Sequence, residues 1–276
     1  TDLTFSATGG TQLNLTSGNL LVTGGGTNSI GNPGAVIAFS APGQVPGVGV
    51  PTGVAPTGSI FGATEGFLFV DSGTTLNVNG TLANGVTNMT VSAAGGTLNL
   101  NAKNYFNTGA NYLTLLGGTY VLNGGENTIW QGVQGGTAGQ HLALAGNTTL
   151  NLNGYSQMVG NFRNANNFGA GLAGAVVTST SAATLIACTA DANNWGGQIT
   201  GAVTLNKASG STLAFFNDNT YTGGTILTGG TLQLQDEGRL SGTSSIVLRN
   251  AALTLTDAGT IAHADRILDS ASISMR

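Results

Sequence analysis

The side chains able to carry acid–base or nucleophilic chemistry are few here, and they do not gather. Eight aspartates and three glutamates are scattered singly or in pairs, with Asp236 and Asp257 standing 21 residues apart. Glycoside hydrolases and polysaccharide lyases need two carboxylates in one groove, with a basic residue or calcium beside them. Arg163, Asp191 and Asp236 would make such a set only if loops brought them together. If the chain coils at their spacing, Asp236 and Asp257 fall in one column. Calcium takes about six to eight oxygens, and nothing else converges on that pair. Both are better read as corner residues, and the dense charge of Asp236-Glu237-Gly238-Arg239 as a solvated turn.

Other chemistries fare no better. His141 and His263 have no second histidine or cysteine at zinc spacing. Cys188 closes the apolar run Ala182–Cys188 and reads as a buried core thiol, since free cysteine is among the most buried residue types. Gly-x-Ser-x-Gly elbows and phosphate loops ending in Gly-Lys-Ser/Thr are missing, and the glycine pairs lack the helix a nucleotide fingerprint requires. No catalytic residue, cofactor site or metal site is expected, so the chain reads as a non-enzyme. A net charge of −4, with only Lys103, Lys207 and five arginines, argues against a nucleic-acid partner. No apolar run reaches the roughly 18 residues of a transmembrane helix, so this segment is not expected to insert in a membrane.

What the chain does carry is a period. Thr75-Leu76-Asn77-Val78, Thr97-Leu98-Asn99-Leu100 and Thr119-Tyr120-Val121-Leu122 recur at a step of 22 residues. A step in the twenties suits one coil of a β-solenoid, in which each repeat stacks on the last. Twenty-two residues at about 3.3 Å each run roughly 70 Å, enough for three short strands and three corners. Within each strand, Leu76 and Val78 face one side and Thr75 and Asn77 the other. Leu76, Leu98 and Tyr120 should therefore stack in the interior while a Thr/Asn column faces water.

Looser copies of this pattern occur at Thr11–Leu15, Thr149–Leu152, Thr212–Phe215, Thr231–Leu234 and Ala252–Leu255, with steps of 19 and 21 from Leu213 to Leu232 to Leu253. The expectation is an all-β chain: a right-handed parallel β-helix of about 19–30 residues per coil, continuous over 1–276. Composition agrees, with 46 glycines and only 7% charged residues. Glycine and asparagine tolerate the left-handed backbone of sharp corners. The nearest approach to a helical pattern is Ile261–Ser270, where one short turn of helix would fit.

One zone interrupts the rhythm. Residues 32–58 hold all five prolines and include Val45-Pro46-Gly47-Val48-Gly49-Val50-Pro51. Proline cannot donate to a ladder, so this segment should leave the coil as a loop or arm. Val45, Pro46, Val48, Val50, Pro51 and Val54 form its apolar part and are the candidate self-association residues.

The resemblance to a known family lies further along. Asn219-Thr220-Tyr221-Thr222-Gly223-Gly224-Thr225, followed by Gly230-Thr231-Leu232-Gln233-Leu234, resembles the passenger-associated repeat of bacterial autotransporters. Asn194–Ile199, Leu205–Gly210 and Leu150–Gln157 are similar to segments upstream of that signature, so the likeness covers about Asn147 to Leu255. The resemblance implies a right-handed β-helix in large exported bacterial proteins, and no catalytic residue. Within it, Tyr221 would pack at a corner, Thr220, Thr222 and Thr225 would face solvent, and Gly223-Gly224 and Gly229-Gly230 would turn the chain.

Export signal and barrel translocator are not recognisable in these residues, so the chain is expected to be a piece of a longer exported protein. Few cysteines and few charges suit a secreted or cell-surface protein that packs against copies of itself, end to end or laterally, or against a host or extracellular-matrix surface. The expected function is structural: a β-helical rod forming a fibre, a surface layer or an adhesin stalk. A carbohydrate-active β-helix is the alternative.

Overall fold

A computed structural model describes residues 2–3, 12–15, 19–39, 65–84, 88–106, 112–130, 140–165, 174–257 and 264–276. Among these residues there are thirty β-strands and no helix, and every strand pair whose register is resolved is parallel. The architecture is a parallel β-helix, built as two compact units, Thr1–His141 and Leu142–Arg276.

The first unit repeats three strands per coil. Its coils are β1 (Asp2–Leu3), β2 (Gln12–Leu15) and β3 (Asn19–Val22); β4 (Gly26–Ile30), β5 (Val36–Phe39) and β6 (Glu65–Val70); β7 (Thr74–Val78), β8 (Thr81–Asn84) and β9 (Asn88–Ser92). Then follow β10 (Thr97–Leu100), β11 (Asn104–Phe106) and β12 (Tyr112–Leu116); β13 (Gly118–Leu122), β14 (Ile129–Trp130) and β15 (Gln140–Leu144), the last of which carries the boundary between units. Three sheets result, ordered β1-β4-β7-β10-β13, β2-β5-β8-β11-β14 and β3-β6-β9-β12.

The register follows the period read from the sequence. Leu98 is the Cα partner of both Leu76 and Tyr120, and Thr97 that of Thr75 and Thr119. Leu76, Leu98 and Tyr120 are all buried, while Thr75, Asn77, Thr97 and Asn99 are partly exposed. Burying one such apolar side chain is worth about 1.5–3 kcal/mol, and a column repeats that gain at every coil. Tyr120 brings a hydroxyl into the core, where it accepts the Ala93 N–H at 3.0 Å and lies 2.8 Å from the Val91 carbonyl. The outer polar column is also bonded along the stack. Asn123 donates to Asn101 and Asn101 to Asn79, each at 2.8 Å, and Asn99 donates to Asn77 at 2.7 Å.

The coil that contains the proline-rich zone is longer: Gly26 pairs with Thr74, 48 residues on. The extra chain, residues 40–64, lies between β5 and β6. Val45, Pro46, Val48, Val50, Pro51 and Val54 lie outside the described residues. The described beginning of the zone is not loop throughout. Val36–Phe39 is an interior strand between β2 and β8, because Ile37, Ala38 and Phe39 are all buried in the core and the prolines lie outside the strand.

The second unit opens with β16 (Thr148–Asn151) and β17 (Gln157–Asn164), then β18 (Val176–Thr178), β19 (Ala183–Cys188) and β20 (Asn193–Trp195); β21 (Gln198–Ile199), β22 (Val203–Ala208) and β23 (Thr212–Phe215). It continues with β24 (Asp218–Asn219), β25 (Thr225–Leu227) and β26 (Gly230–Gln235); β27 (Arg239–Leu240), β28 (Ser245–Leu248) and β29 (Ala251–Thr256); and β30 (Ser272–Met275). Its sheets run β16-β18-β21, β17-β19-β22-β25-β28-β30, β20-β23-β26-β29 and β24-β27. Leu213 pairs with Leu232 and Leu232 with Leu253, the steps of 19 and 21 expected. The described part of Ile261–Ser270 is not helical. Ile267 instead bridges Leu240 in parallel, so its apolar spacing serves the coil.

Candidate functional site

The signature residues of the second unit form a bonded corner. Asn219 ends β24 fully buried, its amide oxygen accepting the Ile199 N–H of the preceding coil at 2.9 Å. Its amide nitrogen donates to the Asn217 carbonyl at 2.8 Å and reaches the Arg239 carbonyl of the following coil at 3.5 Å. One side chain thus satisfies backbone groups on both neighbours, as a buried polar group must. Asn104 does the same in the first unit, accepting from Leu82 N–H at 2.9 Å and donating to Ala102 and Thr128 carbonyls.

Tyr221 packs at the corner as expected, fully buried, and burial holds its phenol well above the usual tyrosine range. Its hydroxyl lies 2.6 Å from Thr225 Oγ1, which lies 2.9 Å from Thr243 Oγ1. Thr243 completes the chain by donating to the Gly223 carbonyl at 3.0 Å or the Ser245 carbonyl at 3.2 Å. Thr225 is therefore buried and does not face solvent as expected from the repeat signature; it gives the buried tyrosine hydroxyl its partner. Thr220 and Thr222 are exposed.

Gly223 allows close approach: a Cβ there would collide with the Val203 carbonyl. Gly224 accepts the Leu205 N–H at 3.0 Å. Gly230 has φ +66° and faces the Ser211 carbonyl, so of Gly223, Gly224, Gly229 and Gly230 it is the one that turns the chain through a left-handed backbone. Thr231 sits between Thr212 and Ala252 in register, and Leu232 and Leu234 are buried in the core columns.

The candidate carboxylates are dispersed. Asp191 precedes β20 and Asp236 follows β26, which in a parallel sheet puts them at opposite strand ends of β20-β23-β26-β29. Asp191 is engaged by the Asn161 amide at 2.8 Å, two residues before Arg163 on β17. Asp236 and Asp257 do fall on adjacent coils, since Gln235 pairs with Thr256. The Asp257 carboxylate, however, is taken by Arg266, whose guanidinium also donates to the Leu234 carbonyl at 2.9 Å. Exposed Glu237 pairs with half-buried Arg239 at 3.7 Å. Among the described residues no three of His, Cys, Asp and Glu lie together as a metal site would need. His141 is buried against the Tyr112 ring at 5.2 Å, and His263 lies outside the described residues.

Two buried cations were not singled out in the sequence. Arg266 is one. Lys207 is the other, fully buried and donating to the carbonyls of Ala208 and Ser209 at 2.9 Å and Gly229 at 3.0 Å. Burial pushes its pKa down to about 8, with Cys188 acting in the opposite sense. Burial pushes the Cys188 thiol up. A signal for Lys207 was present: in Val203-Thr204-Leu205-Asn206-Lys207 it occupies the third inward position.

Comparison with protein-family models, with curated proteins and with solved structures found no match. What the chain does rests on its own geometry.

Proposed function

We propose that this chain is a non-enzymatic structural module of an exported bacterial surface protein, acting through the stack it builds and through contacts with copies of itself. The observation that carries this reading is where the polar groups go. Asn219, Asn104, Tyr221, Thr225, Thr243 and Lys207 each bond to neighbouring coils or to their own corners, and the exposed Asn79-Asn101-Asn123 ladder is bonded along the stack. Polar groups spent on stacking are not poised for substrate. The likeness of Asn219–Leu234 to the passenger-associated repeat supports a secreted or cell-surface location, as part of a fibre, a surface layer or an adhesin stalk. Low charge supports self-contact, because surfaces are ordinarily kept apart by mixed charges.

Electron microscopy and light scattering of the purified chain at moderate salt test this. Assemblies whose mass grows with concentration are the expected result. A monodisperse chain that depolymerises a polyuronide or other polysaccharide would overturn it.

A further inference from the structure

The outer face of β7, β10 and β13 is ruled in two directions. Thr75, Thr97 and Thr119 form one outward column and Asn77, Asn99 and Val121 the next, each residue the Cα partner of its neighbour. A third column, Asn79, Asn101 and Asn123, continues the same ladder one residue past each strand. Thr27 on β4 adds a further threonine beside Thr75. Rows repeat at about 4.8 Å across the strands and columns at about 6.6 Å along them. Thr27 and Asn101 are exposed and the other eight positions are half-buried, so the array lies on the flank of the first unit's stack and not in its core.

The array is held still. Asn99 donates to Asn77 at 2.7 Å and Asn101 to Asn79 at 2.8 Å, so β7 and β10 do not diverge between those positions. Sheets ordinarily twist, and side-chain ladders are one of the devices that keep them flat. Threonine is stiff at χ1, and each ladder bond fixes an amide. Little rotamer freedom is therefore left to lose on binding. A ladder bond also takes only part of an amide's capacity. Asn101 donates one hydrogen and accepts one, which leaves a hydrogen and a lone pair for a partner.

None of these ten side chains is charged or aromatic, and that decides the partner. A calcium mineral calls for carboxylates. The apolar face of a crystalline sugar calls for an aromatic ring. Neutral groups that both donate and accept complement a neutral partner that does the same. A fixed lattice adds nothing to the binding of a mobile chain or of liquid water, because neither repeats. Ice is neutral, presents donors and acceptors together, and repeats on spacings of the same order as the array. We propose that this face binds ice, its hydroxyls and amides holding a first layer of water in step with the crystal while the threonine methyls pack against that layer. The contact uses neither end of the chain and is independent of contacts between copies.

Ice growth tests this directly. The purified chain should open a gap between the freezing and melting points of a single ice crystal, facet that crystal on a cooled microscope stage, and be enriched in slowly grown ice. Thr97→Tyr, at the centre of the array, should lose most of the gap. Asn101→Lys should lose it as well, and as a change at an exposed position it keeps the test open should Thr97→Tyr fail to fold. Thr114→Tyr, at a half-buried outward position on β12 in a different sheet, should keep the gap. Circular dichroism and urea midpoints establish that each variant is folded. A wild-type chain that is excluded from ice and leaves freezing and melting coincident overturns the inference. Retention of the gap in both folded array variants overturns it too, as does a loss in Thr114→Tyr equal to that in Thr97→Tyr. Capture on crystalline chitin or cellulose without any effect on ice would also overturn it and assign the face to a polysaccharide. Light scattering on the same samples reads self-association separately, so failure of either reading leaves the other standing.

Discussion

Lys207 shows how one inward side chain can set a pH dependence. Its ammonium is held by three carbonyls yet lies away from water, and its pKa falls to about 8 from the ordinary 10.5. Between those values the unfolded chain holds a proton that the folded chain has released, so folding stability rises with pH across that window. Below pH 8 both states are protonated and the burial cost, roughly 1–3 kcal/mol, is present in full. The Cys188 thiol, raised by burial, opposes this gain above its ordinary 9.0. Tyr120 and Tyr221 act in the same sense above 10.0, because they stay protonated when folded after the unfolded chain has ionised them. Urea midpoints should therefore rise from pH 8 towards 10 and fall beyond it, and Lys207→Met should flatten the rising arm. At the signature corner, Tyr221→Phe should lower stability by about 1–2 kcal/mol, and Thr225→Val by a similar amount, because each removes a partner from a buried hydroxyl chain. Chemical denaturation of the two single variants and the double would show the coupling as non-additivity.

At the scale of strands, columns and corners contribute unequally. Leu98→Ala opens a cavity between Leu76 and Tyr120 and should cost about 2–5 kcal/mol. Asn101→Ala breaks two ladder bonds on an exposed edge, and should cost about 1 kcal/mol or less because water replaces them. Thermal or urea unfolding of the two variants must give that order. Gly230→Ala should cost more than about 1 kcal/mol, since a Cβ is strained at its positive φ and meets the Ser211 carbonyl. The strands themselves were legible in the residues, since Leu76, Leu98 and Tyr120 show their spacing directly. Corners were less so. Val36–Phe39 was hidden beside prolines that sit just outside it, and Ile267 was hidden in a stretch whose apolar spacing also fits a helix.

Over whole units, a parallel β-helix is held together coil by coil, and each coil is protected by the two that flank it. Amides of β29 and β30 should consequently exchange hydrogen faster than those of β23 and β26, which have a neighbour on both sides. Hydrogen exchange read by mass spectrometry checks this. The residues alone determined the fold class and the coil step. Parallel strands repeat the same hydrogen-bond ladder, so a core position must recur in the chain at the length of a coil, and the alternation makes it visible. Tertiary structure alone decided which polar groups meet at the corners. Thr225 finds Thr243 at a separation of 18 residues and Arg266 finds Asp257 at 9, distances set by corner lengths and by no period in the sequence. Those pairings turn a Thr expected in solvent into a core residue, and an aspartate that might have held a cation into the partner of an arginine.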